Sequence, residues 1–496
     1  MKLALISGDG LPVSGLLTIF RNVVEAELPN DTLDLPVVAD LGFSWRPDKR
    51  NFFPRGREDA GYPSWMDVST AVPLGTARDE LEHALTSIRG AVARADSLDD
   101  RERTELRRLV QSIAEPYEDY FAKWFEEHDV DWVCAVNMTL SDAVPVTLAL
   151  HRAAARRWPA DASGGVLFWD HDLFGSYSVY EEGARVYPSK PNQFTPLPGS
   201  HPCHRWAVVS PGLAAEAAEY PTGLSATTVP NVLPALGSGE LEKRHDAFRE
   251  QHGLSPDRPL LLVPVRVFQV KGVEISVRMF AEIKRTCAAR NLPAPYLLVF
   301  GSLDEDPPYA AQVVSLARDL NVRDDVVFLD GVPLSSHQDT ALRWHLDEVD
   351  LLRLCRAGGG AVLFTPNTAD VESVGLGPAL AAIAEVPCAV TEYACFEDIY
   401  GVQSGCVKIT ETVELVVPAE RLVSLMVRNS EGDPAVREIL RRDREQVLRS
   451  FDPQPWKELL REITGVAGVA EVTEIAEIAE GERRIEGHRD LSARTT

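Results

Sequence analysis

Short apolar runs recur along the chain and are separated by longer segments in which apolar residues repeat at helical spacing. The runs are residues 3–7, 131–136, 165–169, 206–210 and 227–230 in the first half, and 259–265, 296–301, 326–330, 361–365 and 387–390 in the second. Continuous apolar strands that alternate with helices are typical of parallel sheets covered by helices on both faces. The pattern therefore predicts an α/β protein, with helices over 76–92, 101–128 and 273–290.

The series of strands stops and restarts around a polar segment, residues 237–258, which is rich in Glu, Lys, Arg and Asp. With 496 residues the chain is too long for one ordinary core. We predict a Rossmann-like domain over 1–236, a linker over 237–258 and a second Rossmann-like domain over 259–455. Residues 481–496 alternate charge with small apolar side chains and are predicted to form a flexible tail.

The charge and the cysteine content bear on the binding partners and the cellular compartment of the protein. The net charge is −25, so duplex nucleic acid and anionic membranes are poor partners. No apolar run approaches the roughly 20 residues needed to span a membrane. The seven cysteines show no CxxC pairing, and several stand in apolar runs, which fits a reducing compartment. We expect a cytoplasmic protein without membrane insertion, and whether it forms a homodimer is left open.

Residues 43–69 show neither helical nor strand periodicity and are predicted to form a loop. The segment combines basic and aromatic residues in an otherwise acidic protein, among them Arg46 and Arg50. Long loops in compact domains are commonly functional or disordered. Two interpretations stay open: a solvated insertion anchored by its aromatic residues, or an acceptor-binding loop in which Arg46 and Arg50 recognise an anionic group.

The strongest chemical signal is a pair of cations on a loop between a strand and a helix. Arg266 and Lys271 follow the apolar run 259–265 and precede the predicted helix 273–290. A helix N-terminus carries partial positive charge and free N–H donors, so it suits a phosphate. Cations at this end oppose the helix dipole, which predicts an anionic ligand beside them. Glu372, on a later loop, adds a carboxylate, and together the three indicate a diphosphate held by the cations with its sugar against the carboxylate.

Other candidate motifs are weaker. His201, Cys203 and His204 lie close together, but no second cluster has the spacing of metal ligands. The acidic run 304–306, which precedes two prolines, is interpreted as a solvated turn. Residues 8–13 lack the third glycine of a dinucleotide-binding fingerprint. The sequence therefore predicts neither a metal site nor a redox cofactor.

These motifs resemble those of retaining glycosyltransferases with the GT-B fold, and among them glycosyltransferase family 4. In the second half the resemblance rests on Arg266 with Lys271 and on the stretch 372–376, Glu-Ser-Val-Gly-Leu. In the first half it rests on the glycine-rich stretch 8–15 and on Asp-His-Asp at 170–172. The resemblance implies two Rossmann-like βαβ domains that face each other across a cleft.

The resemblance also implies a role for each motif of the second domain. Arg266 and Lys271 contact the diphosphate of a nucleoside-diphosphate sugar and neutralise the charge that develops on the leaving group. Glu372 accepts hydrogen bonds from sugar hydroxyls. The N–H groups around Gly375 and Leu376, at the start of the next helix, meet the same sugar or the phosphates.

The first domain supplies the opposite wall of the cleft in such enzymes. The resemblance implies that His171 touches the sugar or the diphosphate, and that Asp172 orients the loop or contacts the acceptor. Gly10 and Gly15 lie on a loop whose backbone approaches the donor phosphate closely. The resemblance further implies that no metal ion or other cofactor is required, and that a helix over about 456–480 crosses back to the first domain.

The chain departs from the family pattern at Leu380. The family's second carboxylate, which normally holds the ribose hydroxyls, would stand at this position. The identity of the base, UDP or GDP or another, is therefore open, and we expect a divergent member with an unusual donor or acceptor.

The predicted activity is transfer of a sugar from a UDP- or GDP-sugar to a small-molecule acceptor, with retention of the anomeric configuration. Divergence from the family motif favours secondary metabolism, such as antibiotic biosynthesis, with an oxygen, nitrogen or sulfur nucleophile. Three alternatives stay open: a pseudo-glycosyltransferase that couples a cyclitol nucleotide to an amine, a sugar-nucleotide-binding protein without catalysis, and a GT-B epimerase or phosphorylase.

Overall fold

A computed structural model of the chain shows two parallel sheets with helices packed on them. The residues that it describes are 1–7, 15–30, 32–49, 61–69, 74–140, 143–160, 163–175, 180–181, 184–237, 240–368, 372 and 374–465.

The described part of the first half contains nine strands. They are β1 (Lys2–Ser7), β2 (Asp34–Asp40), β3 (Met66–Ser69), β4 (Trp132–Val136), β5 (Gly165–Asp170), β6 (Tyr180–Glu181), β7 (Ala184–Arg185), β8 (His204–Val208) and β9 (Thr227–Thr228). Seven of them pair in parallel in the order β3-β2-β1-β4-β5-β8-β9, and β6 and β7 form a separate antiparallel hairpin. Strands β4 and β5 are buried along their whole length, as expected for a sheet covered on both faces.

Five helices accompany this sheet in the described residues. They are α1 (Gly15–Glu27), α2 (Arg78–Ala93), α3 (Asp100–Glu127), α4 (Val144–Arg157) and α5 (Pro211–Ala218). Helix α3 begins at a capping box, in which the side chains of Asp99 and Glu102 each accept from the other residue's backbone N–H. Its buried face packs against α4. Among the described residues, none of the helices is both long and apolar enough to cross a membrane.

The second half builds a smaller parallel sheet. Its strands are β10 (Leu260–Val263), β11 (Tyr296–Val299), β12 (Val326–Phe328), β13 (His337–Gln338), β14 (Trp344–His345), β15 (Ala361–Phe364), β16 (Cys388–Thr391) and β17 (Val407–Ile409). Six of them pair in parallel in the order β12-β11-β10-β15-β16-β17. Strands β13 and β14 form an antiparallel hairpin inserted after β12.

The second half contains nine helices in the described residues. They are α6 (Lys243–Gln251), α7 (Val273–Ala289), α8 (Pro307–Asp319), α9 (Glu348–Ala357), α10 (Gly377–Ala384), α11 (Phe396–Tyr400), α12 (Val416–Ser430), α13 (Pro434–Ser450) and α14 (Gln454–Thr464). Helix α6 lies inside the segment 237–258 that was expected to be a linker, and the domain boundaries stay a prediction.

Each of the ten predicted apolar runs contains a strand of one of the two parallel sheets, so the predicted α/β class is confirmed. The expectation that residues 43–69 contain no strand is wrong, because β3 lies there and pairs in parallel with β2. Strand β3 has only four residues, and only its first, Met66, is buried. So short and half-exposed a strand leaves no apolar run in the sequence.

The two halves touch through α1 and α14. Arg21 on α1, fully buried, donates from Nη1 to the carbonyl oxygen of Leu334 at 2.9 Å. The indole of Trp456 on α14 packs edge to face on Trp169 of β5, with ring centroids 4.5 Å apart. Trp456 therefore brings α14 against the first sheet, and the described chain ends at Gly465. The expected course of this helix to about residue 480, and the tail 481–496, lie outside the described residues.

Candidate functional site

The loop between β10 and α7 is pressed against the end of β15. Gly272, the last residue before α7, has φ +60°, a backbone conformation that favours glycine. A Cβ atom at this position would lie 2.0 Å from the carbonyl oxygen of Thr365. The Thr365 hydroxyl in turn donates to the Gly272 carbonyl oxygen at 2.9 Å. The loop that carries both predicted cations is thus fixed against the carboxyl edge of the second sheet.

Lys271 and Glu372, which are 101 positions apart in the chain, meet in this structure. Lys271 Nζ donates to Glu372 Oε1 at 2.6 Å. The lysine side chain is 26% exposed and the glutamate side chain 10% exposed, so the pair is partly accessible to solvent. The structure therefore brings together the cation and the carboxylate that the sequence motifs place in one site.

Arg266 also has a carboxylate partner. Its Nε donates to Oε2 of Glu305, whose side chain is 9% exposed. The interpretation of the acidic run 304–306 as a solvated turn is therefore wrong for Glu305. It is wrong for Asp306 as well, because this side chain accepts from the Tyr309 N–H at 3.2 Å and caps α8. Of the three acidic residues, only Asp304 is exposed.

These two ion pairs change the electrostatic argument for the site. Cations before a helix were expected to need an external anion, whereas here Glu305 and Glu372 supply the opposing charges. The position of Arg266 and Lys271 can therefore be explained without a ligand. The site thus presents two cations and two carboxylates at one sheet edge. Each cation can exchange its carboxylate partner for a phosphate oxygen when a dianionic diphosphate enters.

The segment before α10 is held by two tyrosine hydroxyls. Gly375 has φ +67°, and a Cβ there would lie 2.3 Å from Tyr393 Oη. Tyr393 donates to the carbonyl oxygens of Val374 and Gly375 at 3.2 Å each, and the Tyr400 hydroxyl also donates to Gly375. Leu376 directly precedes α10. The structure thus places both predicted residues at a helix start, with the carbonyl group of Gly375 held by both tyrosines.

Leu380 stands in the first turns of α10 and is 3% exposed. The helix sequence, GPALAAIA, carries no polar side chain, and every residue in it is buried. The position of the family's second carboxylate is therefore occupied by a core residue, and α10 offers no side-chain partner for ribose hydroxyls.

On the first domain, His171 directly follows β5. Its backbone N–H donates to Asn137 Oδ1 at 2.7 Å, and the centroid of its ring lies 4.6 Å from that of Trp169. The side chain is 5% exposed, and Nε2 is buried without a hydrogen-bond partner in the described part of the chain. Burial lowers the pKa of His171 to about 3. The imidazole is therefore neutral at physiological pH.

Asp170 and Asp172 flank this histidine in different environments. Asp170 is fully buried, accepts from Trp206 Nε1 at 2.8 Å, and has its pKa raised to about 7 by burial. Asp172 is partly exposed, and Asn137 Nδ2 lies 3.5 Å from its Oδ2, at the limit of a hydrogen bond. Asn137, with φ +51° after β4, therefore organises the loop around His171. The sequence analysis missed it; an Asn directly after a strand, where αL is tolerated, was the available signal.

The remaining predicted residues are less closely tied to this site. Gly15 begins α1, and a Cβ there would meet nothing within 4 Å. Gly10 and Arg50 lie outside the described residues. Arg46 is 4% exposed, and its Nε and Nη2 donate to Asp48 at 3.0 and 2.9 Å. This local pairing explains the burial of Arg46 without an acceptor.

Metal ligands are not assembled in the described part of the chain: no group of three or more His, Cys, Asp or Glu side chains there could hold an ion. In the predicted weak cluster, His201 Nδ1 lies 3.0 Å from Cys203 Sγ. His204 instead packs edge to face on His151, with ring centroids 4.8 Å apart. The cluster is a polar part of the core around α4.

A small recess with a cavity volume of about 10 Å³ lies beside the loop that carries His171. Its lining includes Thr139, whose N–H donates to Asp170 at 3.3 Å, and Phe174, which follows His171 in the same loop. Most of the other lining side chains are apolar or aromatic, among them Val92, Leu140, Val144, Tyr187 and Pro196. A recess of this size admits about one water molecule and does not mark a site for a small-molecule acceptor.

No protein-family model matches the chain, and no curated protein matches it in sequence. Solved structures do match. A glycosyltransferase from Rickettsia africae ESF-5 is 12% identical with a TM-score of 0.53, over 94% of this chain and 99% of that chain. A sucrose-phosphate synthase from Thermosynechococcus elongatus is 14% identical with a TM-score of 0.53, over 94% and 100%. The Anabaena protein HepE, solved with UDP and glucose, is 11% identical with a TM-score of 0.50, over 94% and 100%.

At 11–14% identity this likeness is one of fold. It extends over nearly the whole of each chain, so it includes both parallel sheets and their connection. The chain therefore has the GT-B fold, in which two Rossmann-like domains face each other across a cleft.

Proposed function

We propose that the protein is a retaining glycosyltransferase, similar to family 4, that moves a sugar from a nucleoside-diphosphate sugar to a small acceptor. The observation that carries the proposal is the contact between Lys271 and Glu372 at 2.6 Å on the cleft edge of the second sheet. The fold supports it, because structural neighbours of this chain are glycosyltransferases and one was solved with UDP and glucose.

In the proposed reaction, the cations bind the donor diphosphate and stabilise it as a leaving group. Lys271 already lies beside the carboxylate that would hold the sugar, so one donor molecule spans both groups. Charge on the departing nucleoside diphosphate grows as the glycosidic bond breaks, and nearby cations stabilise that state more than the ground state. Glu372 orients the sugar by accepting from its hydroxyls.

His171 takes part as a neutral imidazole. Its buried Nε2 has no partner in the described chain, so a sugar hydroxyl or a phosphate oxygen would satisfy it. With a pKa of about 3, the ring is not charged during turnover near neutral pH. By the family resemblance, retention proceeds with the leaving phosphate oxygen taking the acceptor proton on the same face, and no metal ion takes part.

For the acceptor, we propose a small molecule bound by the first domain. An oxygen, nitrogen or sulfur nucleophile and a place in secondary metabolism remain part of this proposal. We further propose a cytoplasmic reaction, since all seven cysteines are free thiols.

A thermal-shift screen against UDP, GDP, ADP and TDP tests the donor class. A ligand at about 100 times its dissociation constant stabilises the folded protein by roughly 2.7 kcal/mol, which shifts the midpoint of unfolding clearly. We expect one base to stand out. The proposal fails if none of the four nucleotides shifts the midpoint and calorimetry detects no heat of binding with any of them.

Binding without turnover is the second candidate, and the wholly apolar helix α10 favours it, because a ribose contact expected of the family is missing. Release of free nucleoside diphosphate from UDP-glucose or GDP-mannose separates the two. Turnover supports the transferase, whereas binding without any release supports the second candidate. A pseudo-glycosyltransferase would show turnover only with a cyclitol nucleotide and an amine.

A further inference from the structure

The loop after β11 approaches the cation loop unusually closely. A Cβ atom on Gly301 would lie 2.3 Å from the backbone nitrogen of Val267, so only glycine allows this contact. The residues that follow Gly301 are thereby placed directly beside Arg266. This contact, which the sequence motifs do not reveal, decides which side chain the arginine meets.

The side chain it meets is a carboxylate that is already fixed. Glu305 Oε1 accepts from the Ser302 N–H at 3.3 Å, while Oε2 accepts from Arg266 Nε. Ser302 is held in turn, since its hydroxyl donates to Asp330 and accepts from the Asp304 N–H at 3.2 Å. Glu305 is therefore the buried end of a local hydrogen-bonded turn.

Arg266 is the more exposed partner of this pair. Its side chain is 38% exposed, against 9% for Glu305. A guanidinium is planar and presents its donors in a fixed fork, so a bond through Nε sets the direction of both Nη groups. Phosphate recognition by arginine depends on this direction, because two parallel N–H···O bonds form only when the fork faces the oxygens.

We propose that Glu305 is a positioning residue of the donor site: it holds the guanidinium of Arg266 by Nε so that the Nη groups face the donor diphosphate. The inference rests on the proposed function. It adds a carboxylate that touches neither sugar nor nucleotide and acts through the arginine. The second anion of the site thereby has a role different from that of Glu372, which faces the sugar itself.

Two opposing effects of Glu305 make the idea testable. Its negative charge weakens the attraction of the site for a diphosphate, whereas its hydrogen bond orients the arginine. If charge dominates, removing the carboxylate tightens diphosphate binding. If orientation dominates, as we propose, removing it weakens diphosphate binding although the site becomes more positive.

The experiment measures dissociation constants by calorimetry for UDP and UMP, or for GDP and GMP, whichever base the thermal-shift screen selects. The variants are Glu305→Ala, Glu305→Gln and the control Asp304→Asn, which removes the same charge from the exposed neighbour. We expect Glu305→Ala to weaken binding of the diphosphate about tenfold and binding of the monophosphate by less than about twofold. The reason is that only the diphosphate can contact Arg266 through two phosphates. Glu305→Gln keeps one acceptor for Nε and should lose about threefold, and Asp304→Asn should match the wild type.

Several results would overturn the inference. They are unchanged or tighter diphosphate binding in Glu305→Ala, an equal loss for monophosphate and diphosphate, or a loss in Glu305→Gln as large as in Glu305→Ala. If Glu305→Ala does not fold, the ratio of the two dissociation constants in Glu305→Gln decides, with an unchanged ratio rejecting the proposal. Failure of the wild type to bind any nucleotide would instead reject the proposed function, so the two failures are distinguishable.

Discussion

The two edges that face the cleft share one architecture but present opposite kinds of polar group. At the second sheet the groups are charged, partly exposed and paired: Lys271 with Glu372 and Arg266 with Glu305. At the first sheet the polar group is His171, which is buried, uncharged and only partly satisfied. Parallel strands are common to both, so the difference comes from the residues that follow each strand.

This difference separates two tasks. In both ion pairs the cation is the more exposed partner, so it can turn toward an incoming anion while its carboxylate stays in place. A buried histidine loses its affinity for a proton instead, and it can offer one neutral hydrogen bond in a fixed direction. The second domain is therefore suited to bind a changing charge, and the first to orient an uncharged group.

The largest expected effect comes from breaking the charged edge at Lys271. We expect Lys271→Ala to lower kcat/KM for donor consumption by about a thousandfold, because it removes a cation from the leaving group and leaves Glu372 unpaired. Steady-state kinetics with the donor selected by the thermal-shift screen measures it. Arg278→Ala, which removes an exposed cation from α7, the helix that follows Lys271, is the matched control and should keep wild-type rates. Turnover within threefold of wild type in Lys271→Ala would mean that this edge does not bind the reacting charge.

The first half of the molecule, which contains His171, should lose stability at acidic pH. Burial lowers the pKa of His204 to about 4, below the usual value near 6.5, and lowers the pKa of His151 as well. The unfolded chain therefore binds more protons below pH 6.5, and stability falls as the pH drops from about 6.5 to 4. Asp170 acts in the opposite sense, because its raised pKa of about 7 adds stability as the pH falls.

Each depressed histidine contributes a slope of about 1.4 kcal/mol per pH unit, or about 3 kcal/mol for His204 over its titration range. Urea unfolding followed by tryptophan fluorescence between pH 7 and 4.5 measures the slope. We expect His204→Asn to reduce it, whereas His83→Gln, at an exposed position on α2, should leave it unchanged. Equal slopes in wild type and His204→Asn would show that this histidine is not neutral in the folded state.

A smaller effect is expected at His171, where a single neutral hydrogen bond is at stake. We expect His171→Ala to lower kcat/KM about tenfold, with His171→Asn in between, because Asn keeps a polar group there. Since the pKa of His171 is about 3, the wild-type rate should show no ionisation of this residue between pH 6 and 8. A kinetic pKa in that range that disappears in His171→Ala would show that the ring acts in its charged form.

The two edges also differ in how much of them the sequence reveals. The ten apolar runs marked ten strands because each is a continuous apolar stretch, whereas β2 and β3 are half-exposed and leave no such mark. Lys271 and Glu372 were expected in one site because a family motif joins them. Glu305 was not, since an acid before two prolines reads as a solvated turn until Gly301 brings that turn against Arg266.

The protonation state of His171 at the first edge was even harder to predict from the sequence. The sequence shows that His171 follows a strand, but its neutral state depends on burial of the imidazole beside Trp169. Burial of a single histidine is a property of the packed domain and has no local pattern. Residue types and spacing thus predict which groups come to the cleft, and packing decides their charge and direction.

The smallest effect concerns glycines, and it tests whether the first edge contacts the donor at all. A methyl group on Gly15 would meet nothing within 4 Å, so Gly15→Ala should leave stability unchanged or raise it by up to about 1 kcal/mol, as alanine favours a helix. Gly375→Ala is the contrasting variant, because its Cβ would lie 2.3 Å from Tyr393 Oη at a φ of +67°, and it should lower the melting temperature. If donor phosphate approaches the start of α1, Gly15→Ala will weaken binding of the nucleoside diphosphate about threefold without loss of stability, as the added methyl group holds the phosphate away. Unchanged affinity in calorimetry would mean that α1 only supports the first domain. Donor binding would then belong to the charged edge, and His171 would be the contact across the cleft that these variants test.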